Sequence, residues 1–294
     1  MIAKPRQTFR EAMRGKDFVV TARLPLDSGT VGGDVQAHIE ALHGHVDAVQ
    51  LGDDPGAQPH ISPLAAACLA LQAGADPVVH LTCRDRNRIA LQSDLMGAAA
   101  LGVTSLVLSR GRKLPASLKQ KVKGVFDIGA QRLLATAQAL NAHERLIAPP
   151  GFFLGANVTA LDPPEDWTAD GVGDKAGAGV NFVQTQACLD VATLRRYMAA
   201  LVARKALERI SVVVQVPIVD STEMLHELRQ RRRPLLVTPA ILERLGNAAD
   251  IRAEGEAVCG EVLTAVKRVP GVTAVNILYR GDAAAAVRVI AGIG

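Results

Sequence analysis

The amino-acid sequence predicts an α/β protein built as a closed (β/α)8 barrel of the TIM type, and three observations lead there. Eight short apolar runs alternate with helical patterns along the 294 residues, as a ring of parallel strands each followed by a helix requires. Hydrophobic residues make up 49% of the chain but aromatics only 3%, so Ala, Val, Leu and Ile must fill the interior, which suits parallel strands covered by helices. No linker or low-complexity tract divides the sequence, and one barrel of this length buries a large core, so residues 1–294 are expected to form a single domain.

The elements follow in order. Residues 18–22 and 48–51 read as the first two strands, with a helix at 34–42 between them and Asp34 as its N-cap. Ser62 at the cap and Pro63 at the first helical position announce a helix at 63–73, and Gly74 stands where it should stop. The third strand, 77–81, runs into a polar turn and a helix at 87–101 that ends at Gly102. A fourth strand at 105–108, a helix at 128–141 and a fifth strand at 152–155 come next. Residues 162–179, rich in Pro, Asp and Gly, read as a long loop of the kind that serves as a lid or a cofactor contact. Strands at 181–185, 212–216 and 274–278 alternate with helices at 192–204, 222–231 and 253–267, and a last helix at 283–291 closes the ring.

Charge and cysteine usage narrow the partners. The formal net charge is +4, with basic residues concentrated in 110–123 and 229–233. Neither cluster is interleaved with the aromatics on which single-stranded nucleic acid stacks, so nucleic acid is not an expected partner. Cys68, Cys83, Cys188 and Cys259 are widely separated and lack metal-ligand spacing, which points to reduced thiols in a cytoplasmic protein and to no metal. The N-terminal stretch has no signal-peptide character, and nowhere do eighteen apolar residues run together; neither export nor a membrane is expected.

In such barrels the site lies at the C-terminal ends of the strands. The residues delivered there are Arg23; Gly52, Asp53 and Asp54; His80 and Thr82; Arg110, Gly111 and Arg112; Asn157; Gln184 and Gln186; Gln215; and Tyr279 and Arg280. Arginines and uncharged hydrogen-bonding groups dominate, with one histidine and few carboxylates. That set suits an anionic or heterocyclic ligand better than metal-assisted hydrolysis. No nucleophile elbow and no Gly-rich phosphate motif occurs. His80, Thr82, Arg84, Asp85, Arg86 and Arg88 crowd the end of the third strand. The residues alone leave two readings of this cluster open, ligand binding or a solvated helix N-terminus with local ion pairs.

The stretch HLTCRDRNRIALQSDLMGAAALG, with DAVQLGDDPGAQPHISPLAAA, GVNFVQTQ, VNILYRGD and FVVTARLP, closely resembles the methylenetetrahydrofolate reductase family over almost the full length of the chain. The resemblance implies a flavin-dependent oxidoreductase. It would interconvert 5,10-methylenetetrahydrofolate and 5-methyltetrahydrofolate by hydride transfer through FAD, with NADH or NADPH as co-substrate. It implies that His80, Arg110, Gly111 and Lys175 contact the cofactor, that Gln186, Leu278 and Arg280 contact the folate, and that the chain forms a homo-oligomer. The basic stretch 112–123 would then attract the glutamate tail of cellular folates.

The chain departs from the family pattern where chemistry is expected. The resemblance leads one to expect a glutamate at the end of the first strand, as proton donor for opening the folate's imidazolidine ring, and this sequence has Arg23. A guanidinium stays protonated at physiological pH and has no proton to give. The expected Gly-Asp after the fourth strand is Gly111-Arg112, and the expected threonine after the second is Gly52. Asp53 and Asp54 are the nearest replacement acids or bases, although a GDDP turn is ordinary turn chemistry. A cation beside the flavin favours its anionic reduced form, which biases the expected reaction toward oxidation of methyltetrahydrofolate. The same losses also fit a folate-binding or regulatory homologue without flavin chemistry, or a flavin-free reductase. A yellow or colourless protein separates the first reading from the other two.

Overall fold

In the computed structural model, which describes residues 7–53, 57–115, 122–142, 150–230 and 236–293, eight parallel strands close into a barrel in sequential order. They are β1 (Val19–Leu24), β2 (Ala48–Leu51), β3 (Pro77–Thr82), β4 (Ser105–Ser109), β5 (Phe153–Asn157), β6 (Phe182–Ala187), β7 (Ser211–Pro217) and β8 (Val272–Leu278). All eight fall where the apolar runs predict, and the (β/α)8 barrel stands. Around them lie α2 (Gly32–Leu42), α3 (Pro63–Gln72), α4 (Arg88–Leu101), α5 (Ala130–Asn141), α7 (Val191–Ala203), α8 (Thr222–Gln230), α10 (Ile251–Lys267) and α11 (Ala283–Ala291). The expected last residue of α8, Arg231, lies outside the described residues.

Three helices go beyond the sequence expectation. The first, α1 (Phe9–Gly15), is closed by a capping box in which the Thr8 hydroxyl accepts from Glu11 N–H and the Glu11 carboxylate accepts from Thr8 N–H. The second, α6 (Asp170–Gly177), forms inside the stretch read as loop, where three glycines hide its helical pattern. The third, α9 (Pro239–Gly246), starts from Thr238-Pro239, the same signal as Ser62-Pro63. Asp34 also moves: it sits in the first turn of α2, not at its cap, and accepts from the Val31 N–H at 2.9 Å.

Below, the barrel is plugged. Phe9 is fully buried, its ring 5.2 Å from Phe182 and 6.0 Å from Phe153, among Val19, Ala48, Val78, Val107, Val213 and Ala274. Buried Asp76 accepts the Phe9 N–H at 2.7 Å and fastens the plug. Gly155 is required beside it, because a Cβ there would lie 2.2 Å from the Phe182 ring.

Inward side chains of such a barrel stack in tiers of four contributed by alternate strands. The strand registers put Thr21, Val78, Gly155 and Val213 in one tier, and Gln50, Val107, Gln184 and Asn276 in the tier above it. Arg23, His80, Asn157 and Gln215 follow, and Gly52, Ser109, Gln186 and Leu278 form the rim. The barrel axis therefore turns from apolar to polar as it approaches the C-terminal mouth.

Candidate functional site at the barrel mouth

The floor of the mouth is a hydrogen-bonded chain across four strands. The Thr21 hydroxyl accepts from Gln50 Nε2 at 3.1 Å and lies 3.0 Å from Asn276 Oδ1. Gln50 Oε1 faces His80 Nε2 at 2.9 Å. Because Gln50 gives its nitrogen to Thr21, its oxygen accepts, so His80 carries its proton on Nε2 and leaves Nδ1 as a bare acceptor. Burial first, and the charge of Arg23 second, hold this imidazole well below its ordinary 6.5, so it is neutral at physiological pH. Both side-chain amide atoms of Gln184, the Asn276 Nδ2 and the Thr82 hydroxyl are buried with no hydrogen-bond partner among the described residues.

Arg23 and Gly52 are one feature. The guanidinium lies across the end of β2 so closely that a Cβ on residue 52 would sit 2.0 Å from Nη2 and 2.6 Å from Cζ. Only glycine lets the arginine settle there. Asp53, beside it, is already engaged: its Oδ2 accepts the Thr82 N–H at 2.6 Å, and its Oδ1 pairs with Arg86, whose Nε lies 3.3 Å from Asp94. Asp53 thus splices the ends of β2 and β3 together instead of standing ready for proton transfer. Asp54 lies outside the described residues.

The remaining expected site residues are dispersed. Arg110 stacks on the Phe126 ring, 4.6 Å from its centroid. Gly111 turns the chain at φ +81, and a Cβ there would meet the Cβ atoms of Arg84 and Thr82 at 3.0 and 3.1 Å. Lys175, on α6, donates to the Gly171 carbonyl of its own helix at 2.6 Å. Gln186 clamps the backbone of the β5–α6 connection, accepting from Ala160 N–H at 2.9 Å and donating to its carbonyl at 2.6 Å. Leu278 is half-buried on the rim, and exposed Arg280 pairs with Glu227 at 2.8 Å. Arg84 is buried and turns onto Asp85 at 2.7 Å, so the cluster after β3 is in part the local ion pairing that its sequence allowed. Of the basic stretch 112–123, residues 116–121 lie outside the described residues, as do 231–233 of the run 229–233.

The fold brings together His80, Arg23, Gly52 and Asp53, and it keeps Lys175 and Arg280 engaged elsewhere. Sequence reasoning missed Gln50 and Asn276, although alternation along the strand signals both: each lies two residues before a rim position, Gly52 or Leu278. Two surface concavities lie outside the barrel axis, one of about 590 Å³ on the outer helices and one of about 500 Å³ on the C-terminal side, between the connections that follow β1 and β8. One is lined by α10 and α11 residues whose charges pair with each other, such as Arg288 with Glu256 at 2.7 Å. The other holds His38, bonded to the Tyr279 hydroxyl at 3.2 Å and held below 6.5 by burial. Neither contains the unpaired polar atoms, which lie on the barrel axis.

A pyrimidine-type ring edge fits those buried donors and acceptors, and Arg110 and Arg112 at the end of β4 have the charge for a pyrophosphate. To that extent the mouth fits a flavin dinucleotide. Among the described residues no group of three or more His, Cys, Asp or Glu could hold a metal ion, and no helix is long and apolar enough to cross a membrane.

Fold and mouth together define a parallel (β/α)8 barrel with a cationic rim over a neutral polar floor. The family model described as methylenetetrahydrofolate reductase matches residues 39–266, and the chain belongs to that family. No curated protein matches it. Among solved structures it is similar to an uncharacterized protein from Clostridium thermocellum that binds two copies of 5-methyl-5,6,7,8-tetrahydrofolic acid. That likeness has a TM-score of 0.69 at 13% identity and covers 97% of each chain. It is also similar to DmoA from Hyphomicrobium sulfonivorans, with a TM-score of 0.53 at 10% identity over 93% of this chain and 86% of the other. At these identities the likeness is one of fold.

Proposed function

We propose that the chain binds a reduced folate across the C-terminal mouth of its barrel and converts the 5-methyl form to the 5,10-methylene form, with FAD as hydride carrier and NADH or NADPH as its partner. Family membership supports the reaction class, and the folate-binding fold neighbour supports the ligand class. The observation that carries the direction is Arg23 seated on Gly52 while Asp53 is consumed by Thr82 and Arg86. Reduction must begin with a proton delivered to open the folate's imidazolidine ring, and a guanidinium has none to give. Oxidation begins with a hydride leaving the methyl group, a step that needs no acid; N10 closes onto the carbon and releases its proton to water only afterwards, so the hydride transfer does not wait on the missing donor.

FAD, when bound, supplies a two-electron hydride acceptor. His80, Arg110, Gly111 and Lys175 would hold it. Neutral His80, its Nε2 N–H already donated to Gln50, can only accept a hydrogen bond there, at Nδ1, and adds no charge. Arg23 excludes acid catalysis from the rim and favours electron-rich ligands over it. Anaerobic titration of the purified protein tests the reading. Bleaching of bound flavin by 5-methyltetrahydrofolate, faster at equal driving force than reoxidation of the reduced flavin by 5,10-methylenetetrahydrofolate, is the expected result, and the reverse order refutes it.

A second reading, a folate-binding homologue without hydride chemistry, draws on the same engagement of Asp53 and on the bonds that occupy Lys175 and Gln186. A colourless protein that FAD does not reconstitute, and that binds 5-methyltetrahydrofolate without oxidising NADH, decides for it. A single domain, a cytoplasmic location, supported by four free cysteines, and self-association complete the proposal. Sedimentation at several concentrations checks the last.

A further inference from the structure

The least explained group inside the barrel is the Gln184 amide. Its residue is fully buried, and neither Nε2 nor Oε1 has a hydrogen-bond partner among the described residues. A buried amide left unpaired loses its hydration and gains nothing in return, whereas an apolar side chain of the same size costs nothing at such a place. Val107, in the same tier, shows that an apolar residue is accommodated there. Gln50, across the barrel in that tier, spends its amide on Thr21 and His80. Asn276 gives its oxygen to Thr21 and keeps Nδ2 unpaired, and the Thr82 hydroxyl, nearer the mouth, is unpaired as well.

A primary amide presents a donor and an acceptor side by side. Its complement is a cyclic amide in which a ring N–H and a carbonyl are neighbours, as in the pyrimidinone edge shared by pterins and flavins. We infer that Gln184 and Asn276 read the pyrimidinone edge of the bound heterocycle from inside the barrel, Gln184 through a paired donor and acceptor and Asn276 through a second donor. The identity of that heterocycle rests on the function proposed above; the reading of its edge rests on the tier alone. Gln186, two residues on and expected as the pterin contact, bonds the Ala160 backbone through both its amide atoms.

The test is Gln184→Met, which keeps the length and removes the amide, compared with Gln186→Ala. Melting temperature is measured on the ligand-free proteins, and affinity is measured by calorimetry for 5-methyltetrahydrofolate and for FAD separately. Gln184→Met should melt higher than wild type, since a buried unpaired amide is removed, and should bind one of the two probes at least about tenfold more weakly, since two hydrogen bonds are lost. Weakening confined to the folate assigns the edge to the pterin, and weakening confined to FAD assigns it to the flavin. Gln186→Ala should melt lower, because it loses both bonds to the Ala160 backbone. If Gln184→Met binds both probes like wild type, the inference is overturned while folate binding stands. If wild type binds no folate, the proposed function fails and the FAD titration alone decides the inference; binding of neither probe overturns both.

Discussion

Asp76 should make this barrel less stable as pH rises from 4 to 7, and Asp76→Asn should abolish the effect. The carboxyl is 3% exposed beneath β3, accepts the Phe9 N–H through Oδ2 at 2.7 Å, and leaves Oδ1 unpartnered. Burial pushes its pKa from an ordinary 3.8 up to about 6, against the opposing pull of the Phe9 N–H. Between those values the unfolded chain has released the proton and the folded chain retains it. The folded state therefore binds more protons, and stability falls across the window as pH rises. The contribution is complete below the unfolded value and gone above about 6; two pKa units correspond to about 3 kcal/mol. Asparagine keeps the shape and the acceptor for Phe9 but never ionises. The variant should match wild type near pH 4 and exceed it by about 2–3 kcal/mol at pH 7.5. Urea denaturation at half-unit pH steps, with unchanged m-values, measures this directly. Parallel curves for the two proteins between pH 4 and 6.5, or a less stable variant at pH 7.5, would show that Asp76 is not a buried charge in the folded protein.

Three further outcomes follow from the packing. Gly52→Ala should displace the Arg23 guanidinium, the far end of a flexible side chain, at a cost of no more than about 1 kcal/mol; in an Arg23→Ala background the cost should largely vanish, and an additive double-mutant cycle would dissolve the pairing of these two positions. Asp53→Ala removes a carboxylate whose side chain is 0% exposed from Arg86 and the Thr82 N–H, so chemical denaturation should register a loss of about 3 kcal/mol, whereas a loss under about 1 kcal/mol would class it with surface pairs. Phe9→Ala empties the plug between Phe153 and Phe182, and a calorimetric or denaturant loss of about 3–5 kcal/mol is expected; no loss would mean that α1 does not seal the barrel.

Strand positions were legible because they depend on local composition: a run such as residues 105–108 or 212–216 has no alternative to burial on both faces. The helices α1 and α9 carried readable signals, Thr8 with Glu11 and Thr238 with Pro239, but their short lengths concealed them. Only α6 was hidden by its own residues, since DGVGDKAG reads as loop until neighbours stabilise it. The site was less legible. Gln186 fits a ligand contact by its place in the sixth strand, and nothing local predicts that the Ala160 backbone would fold back onto it. Lys175 and Arg280 likewise found partners, in Gly171 and Glu227, that only folding brings within reach.

What the sequence by itself determined is the barrel, its family, and the three places where the family pattern breaks, because periodicity and motif spacing are properties of the chain alone. What the tertiary structure decided is how two of those breaks relate. Arg23 and Gly52 look independent along the chain, 29 residues apart, yet adjacent strands place the guanidinium where a side chain on residue 52 would stand. The same closure set Gln184 and Asn276 in one tier from strands β6 and β8. Strand register around a closed sheet is a long-range property, and no local pattern encodes which side chains will share a level on the axis.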